Sequence, residues 1–383
     1  MTDLDSGTEH LSHVASTVLR YQVKDKLIAC FRRHGAVETQ RQTLIPRSDY
    51  YTGKNIYQLL DASGTLLQLP YDLTLPLARS LARQDHAAER TFTFGTVYRD
   101  ASPGSAPHSN EEADFDIVSY DSRDLALKEA EVIMVMDEVL AEIPALISAQ
   151  MCFHISHSDL LEAIMDFCPV AISQRAAVKK SLGKLNIQQG KVFWTWEKVR
   201  RELGAPSIGV SSISLDAMAQ FDFRDTPEKC FMKLQNMFVG TAQLPKIHKI
   251  FTHISGLCEY LKCMGVRRKV YCNPLSSFND QLYQSGVMFQ CLFDNKKRAV
   301  IAAGGRYDRL IEDCRPRLAG LRPLSNIHAV GINIAWDILV RSMERYQVPG
   351  GTAFLKDEAQ GQWAARRCDV LVASFDATVL CPP

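Results

Sequence analysis

The chain has 383 residues, of which 46% are hydrophobic and 23% charged, and its formal net charge is +1. Such a composition excludes disorder along the whole chain. The near-zero net charge excludes a global field that would draw the protein to nucleic acid, so any RNA binding must come from local basic clusters. No apolar run approaches the roughly 18 residues of a membrane span, and the sequence predicts no membrane partner.

The first part of the chain alternates between helical and extended patterns. Residues 1–18 are polar and are predicted to form a flexible leader. A helix is predicted over residues 21–34, because apolar residues recur there at helical spacing and Gly35 is a stop signal. Beyond Pro46, the patterns predict strands over 65–71, 91–98, 115–119 and 152–156 and helices over 75–84, 125–140 and 159–167. The strands over 91–98 and 115–119 should form a long hairpin.

The pattern changes over residues 170–265, where helical periodicity dominates and lysines and arginines cluster. This segment is predicted to be a helical insertion. Strands are predicted again over 269–271, 287–292 and 299–303, followed by a strand and a helix over 329–341. The core domain is therefore expected to cover 19–345, with a linker over 346–367. The apolar residues of 368–383 are predicted to be the truncated start of a further domain.

Eleven cysteines are scattered along the chain, and no two of them form a C-x-x-C pair. Zinc sites usually show such pairs, so the sequence predicts no metal site, and nothing in it indicates a cofactor. An odd number of cysteines without a targeting signal is typical of reduced thiols in the cytoplasm.

Four segments carry a family resemblance. They are Leu69-Pro70-Tyr71-Asp72-Leu73-Thr74, then Phe94-Gly95-Thr96-Val97-Tyr98-Arg99 with Asp114-Phe115-Asp116, then Gly304-Gly305-Arg306-Tyr307-Asp308, and finally Val330-Gly331-Ile332-Asn333 with Asp337. Together and in this order, they resemble class II histidyl-tRNA synthetases. The chain is most similar to the synthetase-like regulatory domain of the starvation-sensing kinase that acts on initiation factor two alpha, for example at His34-Gly35-Ala36-Val37.

The resemblance implies an α+β fold, in which a six- or seven-stranded antiparallel sheet is flanked by helices and carries the helical insertion. It also implies partners. The first motif, from the helix over 21–34 through Pro46, would form a homodimer interface, and the insertion would lie where the family contacts tRNA. A kinase domain would accompany the module in the parent protein, although this chain holds no kinase motif.

Amino-acid activation needs cations around the phosphates of ATP, where negative charge develops in the transition state. The family places three arginines there. Arg99 retains the first, whereas Asn279 and Ile338 replace the other two, and Ala101 replaces an acid that holds the adenine side. The resemblance therefore implies a catalytically inactive module.

Part of an amino-acid pocket is expected to survive. By resemblance, Asp72 and Thr74 stand where the family holds the substrate ammonium group. Two assignments stay open: Asp72 could simply cap the following helix, and Arg306 could bond the sheet rather than line the pocket. The vestigial pocket is predicted to contain Asp72, Thr74, Arg99, Glu112, Tyr283, Arg306 and Tyr307.

The basic residues of the insertion are the candidates for RNA binding, since exposed lysines and arginines suit contacts to phosphates. A short charged run is more often only a solvated surface. The candidates are Lys179, Lys180, Lys184, Arg200, Arg201, Lys246 and Lys249.

The function indicated is an inactive module that binds uncharged tRNA, pairs with itself and regulates an associated kinase during amino-acid starvation. Three alternatives remain open. The chain could be an active histidine–tRNA ligase with diverged motifs, a regulatory subunit of a histidine-pathway enzyme, or a dimerisation scaffold without RNA affinity.

Overall fold

The computed structural model describes residues 3–51, 56–83, 88–99, 107–147, 149–189, 192–295, 298–315 and 327–347; of residues 3–15, 189 and 347 it describes the backbone alone. The α-helices in these ranges are α1 (Asp3–Arg33), α2 (Thr74–Leu81), α3 (Leu125–Glu142), α4 (Pro144–Ile147), α5 (Ser158–Phe167), α6 (Ile172–Leu182), α7 (Trp196–Leu203), α8 (Ser212–Ala219), α9 (Pro227–Met237), α10 (Leu244–Cys263), α11 (Asp308–Asp313) and α12 (Trp336–Gln347).

The strands in the described ranges are β1 (Val37–Glu38), β2 (Ile45–Pro46), β3 (Gln58–Leu60), β4 (Leu66–Gln68), β5 (Arg90–Arg99), β6 (His108–Ser119), β7 (Met151–His157), β8 (Gln188–Gln189), β9 (Val192–Phe193), β10 (Lys269–Cys272), β11 (Val287–Phe293), β12 (Val300–Arg306) and β13 (His328–Ile334). Eight of them form the central sheet in the order β1-β5-β6-β13-β12-β11-β7-β10. A three-stranded sheet β2-β4-β3 and the hairpin β8-β9 stand apart from it.

The class II synthetase-like α+β fold is confirmed, with one correction to the sheet. The expected six or seven antiparallel strands are eight in the described residues, and the two edge pairs, β1 with β5 and β7 with β10, are parallel. Parallel neighbours need a long crossover connection. The helices α5 to α10 supply it, because the chain between β7 and β10 contains the whole predicted helical insertion.

The predicted β5–β6 hairpin is confirmed and runs in continuous register from Arg90 opposite Ile117 to Arg99 opposite His108. The flexible leader over 1–18 is corrected, because α1 already begins at Asp3 and continues without a break to Arg33. Polar residues at its start hid the helix from a search for apolar periodicity, but polar side chains are compatible with an exposed helix face.

The central sheet separates two hydrophobic cores. The larger core includes α1, α3 and α12 and the consecutive helices α5 to α10. The smaller core, on the other face, joins α2, α11 and Tyr51 to β6, β11 and the residues around Tyr283 and Tyr307. Since successive strand residues face opposite sides of a sheet, strands β6, β11 and β13 contribute to both cores. The pocket residues lie on the face of the smaller core.

Candidate functional site

Three acidic side chains lie along β6 on the face of the smaller core. Glu112, Asp114 and Asp116 alternate with Ala113 and Phe115, which belong to the larger core. Each of the three acids is at most 2% exposed. Burying a carboxylate is costly unless it is paired or hydrogen-bonded, so the partners of these acids decide what the pocket can bind.

The retained arginine of the second motif is bound by one of these acids. Arg99 Nη2 lies 2.6 Å from Glu112 Oε1, and Arg99 Nε donates to the Tyr71 carbonyl oxygen at 2.9 Å. The guanidinium also stacks over the Tyr71 ring, at 5.0 Å from its centroid. Asn333 Nδ2 donates to the other Glu112 oxygen at 2.7 Å. Burial raises the pKa of Glu112, and the charge of Arg99 opposes that shift.

The other two acids differ in their partners. Asp116 accepts from Arg41 Nη2 at 3.0 Å and from the Tyr307 hydroxyl at 2.8 Å. Asp114 Oδ1 accepts from Asn333 Nδ2 at 2.8 Å, whereas its Oδ2 is buried and has no hydrogen-bond partner among the described residues. Burial, followed by the nearby Asp116, raises the pKa of Asp114 well above its usual range. Burial raises the pKa of Asp116 as well, but Arg41 and the Tyr307 hydroxyl oppose that shift, so Asp116 has the partners for a negative charge that Asp114 lacks.

Asp72 both caps a helix and faces the pocket. Its Oδ1 accepts the Leu75 backbone N–H at 2.8 Å, in the first turn of α2, and its Oδ2 accepts the Tyr51 hydroxyl at 2.7 Å. The Thr74 hydroxyl lies 3.5 Å from the hydroxyl of Tyr283, which is fully buried. Capping of α2 is thus one role of Asp72, and both of its oxygens already have partners within the chain.

Arg306 does not line this pocket, which corrects its place in the predicted pocket set. Its Nη1 lies 3.3 Å from Glu129 Oε1 on α3, and its Nε lies 3.3 Å from Asp308 Oδ2. The next residue, Tyr307, turns to the opposite face and reaches Asp116. Alternation along the chain explains the difference, because adjacent residues leaving β12 face opposite sides.

The two positions at which the resemblance implies that arginines are replaced have structural contacts of their own. Asn279 has φ = +58°, a left-handed conformation that asparagine tolerates well, and its carbonyl accepts the Leu282 N–H at 2.9 Å. Ile338, in the first turn of α12, packs against the larger core. The neighbouring Asp337 accepts from Arg20 Nη2 at 2.8 Å. Ala101, the third departure from the family pattern, lies outside the described residues.

Four of the seven basic candidates in the insertion form ion pairs within the chain. The pairs are Lys179 with Glu162 (2.7 Å) and Asp280 (3.2 Å), Lys184 with Glu202 (2.7 Å), Arg200 with Asp216 (2.6 Å) and Lys246 with Asp159 (3.9 Å). Lys179 is the most enclosed, because its side chain is 16% exposed and holds α6 to the loop at Asp280. Lys179 and Lys184 therefore stabilise the fold, and RNA binding by the four paired residues stays a prediction.

The three other candidates lie at the surface. Lys180 on α6, Arg201 on α7 and Lys249 on α10 are all exposed. Pro46, the candidate for the dimer interface, is also exposed, and its carbonyl oxygen accepts from Arg79 at 3.3 Å.

Five pocket residues were not predicted from the sequence: Arg41, Tyr51, Asp114, Asp116 and Asn333. Acids at every second position of a strand were a signal for three buried carboxylates on one face. The glycine of the fourth motif was a second signal. In the structure, a Cβ at Gly331 would collide with Oδ1 of Asp116, so the glycine makes room for this acid. Arg41 and Tyr51 gave no such signal, since only the folded chain brings them to the pocket.

The fold and these motifs define a class II synthetase-like domain. The crystal structure of histidyl-tRNA synthetase from Nostoc sp. PCC 7120 matches 86% of this chain and 72% of that one, with a TM-score of 0.66 and 16% identity. The family model described as histidyl-tRNA synthetase matches residues 37–320. The chain belongs to the histidyl-tRNA synthetase family.

Two curated relatives sharpen this placement. The eIF-2-alpha kinase GCN2 of Schizosaccharomyces pombe is 36% identical over 94% of this chain, which spans 22% of that kinase. The cytoplasmic histidine–tRNA ligase of Dictyostelium discoideum is 27% identical over 88% of this chain, which spans 68% of the ligase. The resemblance to the synthetase-like domain of such a kinase is therefore confirmed. Among the described residues, no helix combines the length and apolarity that a membrane crossing requires.

Proposed function

We propose that this chain is a catalytically inactive histidyl-tRNA synthetase-like module that binds uncharged tRNA, dimerises and regulates an associated eIF2α kinase domain in the cytoplasm during amino-acid starvation. One observation carries the loss of activity. Arg99, the one arginine kept at the three family positions, is held by Glu112, and Asn279 and Ile338 supply no cation.

Electrostatics support this proposal. The family's arginines stabilise negative charge on the phosphates of ATP, and removing one such donor typically costs about 10²–10³ in rate. Here two are replaced, and the third forms a 2.6 Å ion pair with a carboxylate beside two further buried acids. An incoming phosphate would have to displace Glu112 from Arg99 in a site where poor solvation strengthens repulsion between like charges.

Histidine-dependent ATP–pyrophosphate exchange tests the loss of activity. An active histidine–tRNA ligase, assayed in parallel, provides the positive control. We expect exchange by this chain to stay at background. Robust exchange would show instead that the chain is an active ligase with diverged motifs.

A Glu112→Gln variant distinguishes the two proposed causes of inactivity, which are the ion pair that holds Arg99 and the missing cations at Asn279 and Ile338. The variant removes the negative charge that holds Arg99 but leaves Asn279 and Ile338 unchanged. We expect exchange to remain at background, because two cations are still missing. Activity that appears with this single change would mean that Glu112 alone silences the site.

The exposed basic residues support the proposal of tRNA binding. Lys180, Arg201 and Lys249 are exposed on three helices of the insertion, so their charges are accessible to a phosphate backbone. The buried ion pair of Lys179, by contrast, contributes to folding. Contacts of this kind fix affinity rather than sequence preference and weaken steeply with salt.

A tRNA titration at several salt concentrations tests this surface. We expect each of Lys180→Glu, Arg201→Glu and Lys249→Glu to weaken binding and to reduce the slope of log affinity against log salt by about 1. Arg83→Glu is the matched control, because Arg83 is exposed at the end of α2, outside the insertion. No binding of wild-type protein at either low or physiological salt would reduce the proposal to a dimerisation scaffold.

Exposed apolar residues around Pro46 support self-association. Leu44, Leu59 and Leu60 are 48%, 45% and 71% exposed, and the last two lie on β3, at the edge of the small sheet that contains Pro46. Exposed apolar groups next to a free strand edge favour contact with a second protein surface. Sedimentation of the purified chain tests this part directly, and a strictly monomeric chain would contradict it.

A further inference from the structure

Away from the pocket, three side chains with metal-binding atoms converge between α1 and α3. Cys30 and His34 are four residues apart at the end of α1, a spacing that places two ligands on one helix face. Glu138 approaches them from α3, and its Oε2 lies 3.8 Å from Cys30 Sγ and 3.2 Å from His34 Nε2. The three ligand atoms all lie within 4.8 Å of one another.

These separations fit the edges of a zinc tetrahedron. With Zn–S near 2.3 Å and Zn–N or Zn–O near 2.0–2.1 Å, tetrahedral angles require a sulfur–oxygen edge of about 3.5 Å and a nitrogen–oxygen edge of about 3.3 Å. The measured edges of 3.8 Å and 3.2 Å differ from these values by only a few tenths of an ångström. The third edge, between Cys30 Sγ and the His34 ring, is no longer than 4.8 Å, so rotation of the side chains can bring the three atoms around one ion.

A second carboxylate is placed behind the histidine. The other ring nitrogen of His34, Nδ1, lies 3.9 Å from Glu131 Oε1. Glu131 is itself fixed by Arg90, whose Nε and Nη2 donate to its two oxygens at 2.7 Å and 2.9 Å. A carboxylate on this side of the ring orients the imidazole and raises its basicity once the two atoms come within hydrogen-bond distance, as in many zinc sites.

We propose that Cys30, His34 and Glu138 bind a zinc ion, with the fourth position open to water. A thiolate, an imidazole and a carboxylate together suit zinc, whereas magnesium and calcium prefer oxygen ligands alone. The Glu138 side chain is 37% exposed, so an ion can enter from solvent. The ion would link α1 to α3, across 108 residues of sequence.

Binding of the ion displaces two groups, the Arg33 guanidinium from Glu138 and the thiol proton from Cys30. Arg33 Nη2 lies 3.2 Å from Glu138 Oε2, and its guanidinium also pairs with Glu142 at 3.2 Å, so the arginine keeps a partner when zinc takes Glu138. Zinc binds cysteine as the thiolate, so the thiol proton of Cys30 is released as the ion binds.

Cobalt titration of the purified 383-residue chain tests the proposal, because a cobalt–thiolate bond gives a charge-transfer absorption band. We expect the band to saturate at one equivalent and to be abolished by Cys30→Ser. Cys168→Ser is the matched control, since Cys168 is equally buried but lies at the end of α5. A band that survives Cys30→Ser, or that disappears in the control, would overturn the assignment.

Zinc competition with a chromophoric chelator provides a second measurement. We expect His34→Gln and Glu138→Gln to abolish tight binding and Glu131→Gln to weaken it by about 10- to 100-fold. At saturating zinc, the wild-type melting temperature should rise by about 5 °C. If Cys30→Ser does not fold, Glu138→Gln decides, because its partly exposed side chain tolerates the change. Unchanged zinc affinity in Glu138→Gln would sink the proposal.

Discussion

The pocket and the helical insertion use their charged residues in opposite ways. In the pocket, Arg99 is paired with Glu112 and Arg41 with Asp116. Both acids are buried. In the insertion, part of the positive charge is also internally paired, but Lys180, Arg201 and Lys249 face solvent. Two of the three pocket acids are therefore paired with arginines of the chain, whereas the insertion keeps part of its positive charge at the surface.

This contrast shows why a retained motif residue is weak evidence for a retained reaction. Arg99 and Arg306 both match family positions, yet each binds carboxylates of its own chain. Their contribution to packing is enough to explain why they are present.

Breaking the best-satisfied ion pair of the pocket should have the largest effect. We expect Asp116→Asn to destabilise the protein by about 3–5 kcal/mol, because Arg41 would stay buried without its negative partner. The Arg41 side chain is 6% exposed and that of Asp116 2% exposed, so solvent cannot compensate. Urea unfolding of variant and wild type measures the change. A loss below about 1 kcal/mol would mean that the pair is not the structural element described here.

The next largest effect is expected at the exposed surface around Pro46 and should change dimerisation rather than stability. Leu60 is 71% exposed on the edge strand β3, so Leu60→Asp should leave the stability of the isolated protomer nearly unchanged. If a symmetric dimer buries both copies of this side chain, the substitution should weaken dimerisation by about 100-fold. Sedimentation equilibrium measures it, with Ile172→Asp, at an 84% exposed position in the insertion, as the control. Equal weakening by both variants would point to a nonspecific effect of charge.

Much of the fold could be predicted from the sequence. Periodicity located the helices around residues 130, 160 and 250 and the strands around residues 95, 155 and 290, since each has a buried face with a regular repeat. One edge of the central sheet was missed, whereas the other edge strand, β10, was predicted. Strand β1 has two exposed residues, Val37 and Glu38, so it has no hydrophobic pattern to detect. The start of α1 was missed because the sequence there has too few apolar residues to show a helical repeat.

The candidate site was less predictable, because pairings depend on distant residues. Arg99 could be recognised from its motif, but its ion pair with Glu112 becomes visible only once β5 and β6 stand side by side. The same holds for Lys179, whose partner Asp280 is 101 residues away in sequence. A short basic run does not reveal which of its members are enclosed. Cys30, His34 and Glu138 likewise form no contiguous metal motif, so the sequence predicted no metal site.

The smallest effect is expected for Asp114→Asn. This substitution should stabilise the protein, whereas Asp116→Asn destabilises it, and the stabilisation should depend on pH. Burial raises the folded-state pKa of Asp114 well above the unfolded value of about 3.9, and its Oδ2 has no hydrogen-bond partner among the described residues. As pH rises above that unfolded value, the unfolded chain releases the proton while the folded chain keeps it. Wild-type stability therefore falls with rising pH until the folded pKa is passed.

Asp114→Asn removes this penalty, keeps an acceptor for Asn333 and places an amide donor near the Asp116 carboxylate. We expect the variant to gain about 1 kcal/mol at pH 7.5, with the gain shrinking toward zero below about pH 3, where the aspartic acid is protonated in both states. Urea midpoints of both proteins at the two pH values measure the difference. A constant offset would show that packing rather than ionisation is responsible, and a loss at pH 7.5 would mean that the Asp114 carboxylate is stabilised as a charge, which would remove the contrast between the two neighbouring acids.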